Sequence, residues 1–74
     1  MKYIIFEGKG AMPDYGIAFP PFIEFVKMAQ KMCDKPLRAG YLKFDASGKP
    51  YCYGDSFSLK LKPALGDEKF FIFN

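Results

Sequence analysis

The sequence predicts a small α+β fold: an antiparallel sheet of four or five strands with one helix packed across it, in the order β(β)αβββ. Three observations carry this. Residues 37–61 read as two long alternating strands around an explicit turn, and residues 21–33 carry apolar side chains at helical spacing. Residues 2–7 are apolar on both of the faces a strand would present, the pattern of a strand buried in the middle of a sheet. With 74 residues the chain forms one domain, 1–74.

The first strand ends at Gly8-Lys9-Gly10, and the stretch through Met12, Pro13, Asp14 and Gly16 has turn composition. Residues 16–19 fit a short second strand before Pro20. Pro20-Pro21 forces Phe19 to be extended, and Pro21 suits the first turn of a helix, where its missing N–H loses no partner. At 100° per residue Phe22, Phe25, Val26, Ala29, Met32 and Cys33 share one arc, with Glu24, Lys27, Lys31 and Asp34 opposite. Ile23 falls outside that arc and Met28 at its margin, which makes both candidates for a partner contact. Pro36 stops the helix.

Asp45-Ala46-Ser47-Gly48 has Asp where a type I turn accepts a side-chain bond and Gly where positive φ is needed. Counting outward from Asp45 and Lys49 pairs Phe44 with Pro50, Leu42 with Cys52, Gly40 with Gly54 and Arg38 with Ser56 on one face. The other face pairs Lys43 with Tyr51, Tyr41 with Tyr53, Ala39 with Asp55 and Leu37 with Phe57, and extends to Leu59 and Leu61. A turn-rich connection over residues 62–68 then leads to a last strand at 69–73. Its four consecutive apolar residues would be a hazard on an open edge, so they are expected inside the sheet or at an interface.

Half the residues are hydrophobic, nine of them Phe and five Tyr. Scaling gives a folded surface of roughly 4,600 Å² against about 12,000 Å² unfolded, so only about 60% is buried. The apolar surplus predicts a homo-oligomer. A net charge of +3 permits weak attraction to phosphates without the dense Lys/Arg clustering of a duplex binder. No signal-peptide core and no apolar run near ~20 residues is visible, so a cytoplasmic protein with no membrane partner is expected. Cys33 and Cys52 are then expected to be reduced, as small buried hydrophobes.

Catalytic chemistry finds little to use. The chain has no His and no Trp, so a Cys nucleophile lacks an imidazole, Ser56 and Ser58 have only Lys60 as a base, and zinc lacks a four-ligand set. No enzyme activity and no cofactor are expected. Gly8-Lys9-Gly10 lacks the longer Gly-rich loop, Lys-Ser/Thr pair and helix of a phosphate loop. The candidate ligand-binding strip is Arg38, Gly40, Gly54, Ser56, Ser58 and Lys60: two cations, two hydroxyls and two glycines that let a ligand approach the backbone. Tyr41, Tyr51 and Tyr53 form an aromatic contact surface on the opposite face of the same ribbon.

FPPFIEF, the Leu37-Arg38-Ala39-Gly40-Tyr41 step and the segment from Tyr51 to Leu59, YCYGDSFSL, together resemble small uncharacterised phage and prophage proteins with an Ala-Gly-aromatic step and a Cys-x-Gly-acid-Ser-x-Ser-Leu strand. Asp55 stands where the pattern has Glu. The resemblance implies an accessory protein that acts by binding in the host cytoplasm. The expected role is sequestration of a phosphate-bearing ligand such as a signalling nucleotide, as an anti-defence device. Inhibition of a host defence protein is the alternative, with nucleic-acid binding behind both.

Overall fold

The computed structural model describes residues 1–72, so that Phe73 of the expected last strand lies outside the described residues. Four strands, β1 (Lys2–Phe6), β2 (Tyr15–Phe19), β3 (Pro36–Phe44) and β4 (Pro50–Tyr53), form one antiparallel sheet in the order β2-β1-β3-β4. One helix, α1 (Phe25–Lys31), connects β2 to β3, and a 3₁₀ helix (Asp67–Phe71) follows β4. The protein is a small α+β fold.

β1 is central because its side chains are apolar in both directions, and Tyr3, Ile4, Ile5 and Phe6 are all fully buried. Ile4 and Phe6 join Phe19, Phe25 and Ala39 in one core, covered by α1 and by Leu59 and Leu61. Tyr3 and Ile5 join Leu42 and Phe71 in a second core on the opposite face, covered by the 3₁₀ helix. The helix therefore lies on the face that carries Tyr41. A sheet covered on both sides uses more of the aromatic content than one helix alone would hide.

The β3–β4 turn follows its sequence chemistry. The Asp45 carboxylate accepts from the Ser47 N–H at 2.9 Å, the Ser47 hydroxyl at 2.7 Å and the Lys49 N–H at 2.8 Å, while Gly48 takes φ 85°. Those bonds, the Ser47 hydroxyl first, hold the Asp45 carboxyl below the usual carboxylate range. The resulting register pairs Phe44 with Pro50, Lys43 with Tyr51, Leu42 with Cys52 and Tyr41 with Tyr53.

Beyond Tyr53 the expected strand does not continue. Gly54 adopts φ 68°, packed beside the Tyr41 ring, and the chain turns into a tight loop closed by a bridge between Ser56 and Leu61. A left-handed residue breaks the pleat, so the expected pairs from Gly40 with Gly54 outward to Leu37 with Phe57 do not form. On its other side β3 is bound to β1 through the register from Lys2 opposite Tyr41 to Phe6 opposite Pro36, with a shift between Ile5 and Phe6 that leaves Leu37 unpaired.

The helix is also shorter than its sequence pattern. Pro20 to Ile23 form a turn, with the Ile23 N–H donating to the Pro20 carbonyl at 3.1 Å, and the Lys2 ammonium binds the Ile23 carbonyl at 2.9 Å. Seven residues cannot sustain a helix without tertiary packing. That packing turns Phe25, Met28, Ala29 and Met32 inward, with Ile23 beside them, and leaves Phe22 83% exposed and Cys33 exposed. Ile23 and Met28, expected as candidates for a partner contact, are instead packed against the core, and Phe22 is the exposed apolar residue of this segment.

Residues 69–71 are a 3₁₀ turn rather than a strand. Gly66 at φ 95° reverses the chain, and acidic Asp67 and Glu68 occupy the first turn where the N-terminal dipole favours them. Phe71 then meets the Tyr3 ring edge-on at 5.4 Å, a burial that contributes about 1.5–3 kcal/mol. The segment crosses the sheet near Gly40, where a Cβ would lie 2.6 Å from Pro63 Cγ and 2.9 Å from the carbonyl oxygens of Tyr53 and Gly54. Backbone carbonyls cannot swing aside as a side chain can. Gly40→Ala is expected to lower unfolding free energy by about 1–3 kcal/mol in urea titrations, with the far-UV spectrum of the folded state unchanged.

Candidate functional site

Arg38, the lone Arg of the chain, stands on the Tyr3 face of β3, and its Nε donates to Asp67 Oδ1 at 2.7 Å. Asp67 is 2% exposed, and its other oxygen accepts from the Tyr3 hydroxyl and the Ala64 N–H, both at 2.9 Å. The guanidinium also lies 6.0 Å from the Phe70 ring centroid. Arg38 is thus a partner of a buried carboxylate, with 30% of its side chain left exposed.

The other members of the polar strip are dispersed. Gly40 is buried under Pro63, Gly54 ends β4, and Ser56 is 1% exposed, its Oγ accepting from the Leu59 N–H at 3.4 Å. Ser58 and Lys60 are exposed in the loop after β4, and Lys60 holds a left-handed φ of 57°. The loop brings Ser56 and Lys60 together with Asp55, Phe57, Leu61 and Lys62 around a depression of about 240 Å³. Arg38 is not among the residues that line it.

The aromatic surface keeps more of its expected geometry. Tyr41 is half-buried, stacked on Tyr53 at 5.7 Å and met edge-on by Phe25 at 5.7 Å. Tyr51 and Tyr53 stay 44% and 48% exposed on the helix side of β4, and Phe57 at the loop is 88% exposed. Lys43 places its ammonium 5.4 Å from the Tyr53 centroid, and the Tyr51 hydroxyl donates to Asp45 at 3.3 Å. Residues 43–62 hold four lysines against two aspartates, so +2 of the net +3 lies around β4 and its loop. Among the described residues no three Cys, Asp or Glu side chains converge as a metal would require, and no helix is long and apolar enough to cross a membrane.

Lys43 holds its place through its pairing with Tyr51, whereas Phe57 and Lys62 are carried to the depression by the loop that follows the turn at Gly54. Asp67 is the other residue that sequence reasoning passed over. Its signal was the acid immediately after Gly66, the start of a turn rather than a solvated linker. At the far edge Asp34 accepts from the Tyr15 hydroxyl and pairs with Lys9 at 3.4 Å, while its Oδ1 is buried without a hydrogen bond, so Lys9 contributes charge alone. That bond to Asp34 pushes the Tyr15 phenol up to about 12. Gly8 spends its N–H on the Asp14 carboxylate, which takes that donor of the Gly8-Lys9-Gly10 turn away from any anion.

No family model matches the chain, and no curated protein or solved structure matches it.

Removing Asp67 strands a hydroxyl, a guanidinium and an amide, so Asp67→Ala is expected to cost about 3–5 kcal/mol in chemical denaturation. Arg38→Ala leaves Asp67 two donors and is expected to cost about 1.5–3 kcal/mol; an unchanged midpoint for Arg38→Ala would show the guanidinium to be available to a ligand. Burial, then the Asp67 carboxylate, hold the Tyr3 phenol far above its ordinary value. A raised phenol stabilises the fold fully below the unfolded value of about 10 and loses that contribution as pH climbs beyond it. Thermal melts should therefore fall steeply above about pH 10, and less steeply in Tyr3→Phe.

Proposed function

We propose that this chain is a non-catalytic binding protein whose target is a protein surface bearing acidic side chains, held by Tyr51, Tyr53 and Phe57 with Lys43, Lys60 and Lys62 at their margin. One observation carries the reading: large aromatics stand exposed around β4 among uncompensated lysines, while the lone Arg of the chain is committed to Asp67. Exposed rigid aromatics beside cations are the composition of interface anchors, and the surrounding lysines favour an acidic partner. The resemblance to phage accessory proteins supports the same class, and in that setting the target is a host defence factor in the cytoplasm.

The depression lined by Ser56, Lys60 and Lys62 favours a second reading, a small phosphate-bearing ligand such as a nucleotide. Selection from a displayed peptide library, run beside a thermal-shift panel of nucleotides, separates the two. The protein reading expects acidic, apolar-flanked peptides whose affinity falls at least about tenfold in Phe57→Ala, the loss of a hot-spot contact, and weakens with salt. A nucleotide that raises the melting temperature, with the shift abolished in Lys60→Ala and untouched in Tyr51→Ala, which lies outside the depression, would replace it with the second reading.

A further inference from the structure

β2 is the outermost strand on the side away from β4, and β1 is its single strand partner. Among the described residues no backbone group of Tyr15–Phe19 bonds outside that pairing, so every second N–H and C=O of the strand faces outward unpaired. Edge strands are ordinarily blunted by charge, proline, a bulge or extreme shortness. The segment YGIAF has no charge and no proline, and its five pairs with β1 run without a register shift. The β4 edge differs: it has four residues, opens on Pro50 just after Lys49, and is terminated by the left-handed Gly54.

We propose that the outer edge of β2 pairs antiparallel with β2 of a second copy of this chain, about a two-fold axis at Ile17, making one eight-stranded sheet. An antiparallel edge is self-complementary under a two-fold, which is the isologous geometry of dimers. With the axis at Ile17, Tyr15 lies opposite the partner's Phe19 and Gly16 opposite the partner's Ala18. Tyr15, Ile17 and Phe19 then continue one apolar face across the junction, and Gly16 and Ala18 the other.

Five strand residues alone fall short of the roughly 800 Å² per partner that a stable interface buries. The same axis supplies the remainder. Met12 and Phe22 stand five residues before and after Ile17, and they are 69% and 83% exposed. The two-fold sets the N-terminal end of each β2 beside the C-terminal end of the partner's, so Met12 and the partner's Phe22, both just beyond the strand, share each end of the pairing. The folded chain also exposes 5063 Å², against about 4,600 Å² for a monomer of its mass.

Light scattering coupled to size exclusion, with amide hydrogen exchange at low and high protein concentration, tests the proposal. The expected mass is twice the 8.4 kDa of the chain, with outward amides of residues 15–19 slowing as concentration rises. Met12→Lys with Phe22→Lys, both at exposed positions, should raise the dimer dissociation constant at least tenfold while circular dichroism is unchanged. Tyr53→Ala, on the opposite side of the sheet, should leave the dimer intact. A mass of 8.4 kDa at every concentration through the high micromolar range would overturn the proposal. So would a dimer that survives the double substitution with residues 15–19 exchanging as fast as in dilute solution.

Discussion

The carboxylate of Asp67 is the constraint on which the two-sided sheet depends. It accepts from Tyr3 on the central strand, Arg38 on its neighbour and Ala64 within its own turn, and it does so almost wholly out of water. A buried charge is costly unless paired and hydrogen-bonded, and here three donors converge on two oxygens. The consequence is positional. With Asp67 held over β1 and β3, Phe70 and Phe71 come down on the face that α1 leaves bare.

That arrangement also decides where the surplus of aromatic residues goes. A chain of this size hides only about 60% of its unfolded surface, and both sheet faces are already covered. Two groups of the exposed apolar side chains lie at the perimeter, Tyr51, Tyr53 and Phe57 near β4 and Met12 and Phe22 flanking β2, while Met1, Phe44, Leu65 and Ile72 are exposed apart from them. The two margins differ in charge. Lysines crowd the first, whereas β2 itself carries no charge, and the two proposals rest on that difference.

The members of the expected ligand strip are dispersed because the pairing they were read from stops at Tyr53. Arg38, Gly40 and Ser56 read as a polar face because strict alternation was extended beyond Tyr53. Alternation holds only while the pleat holds, and Gly54 ends it. Glycine in a strand pattern signals either close backbone approach or a turn, and composition does not separate them. Gly40 is the first case, under Pro63 and two carbonyls, and Gly54 is the second.

What the sequence by itself determined is local or periodic. The apolar run of β1 sets it in the middle of the sheet, Asp45 and Gly48 set the turn and the first four pairs of β3 with β4, and the α+β class follows from the order of periods. Only the tertiary structure decided which face α1 presents, where β4 stops and that residues 69–71 belong to a 3₁₀ turn instead of a strand. Each of those depends on contacts far apart in the chain. The Tyr3–Asp67 bond spans 64 residues, and a segment of four apolar residues is equally ready for either conformation until such a partner anchors it.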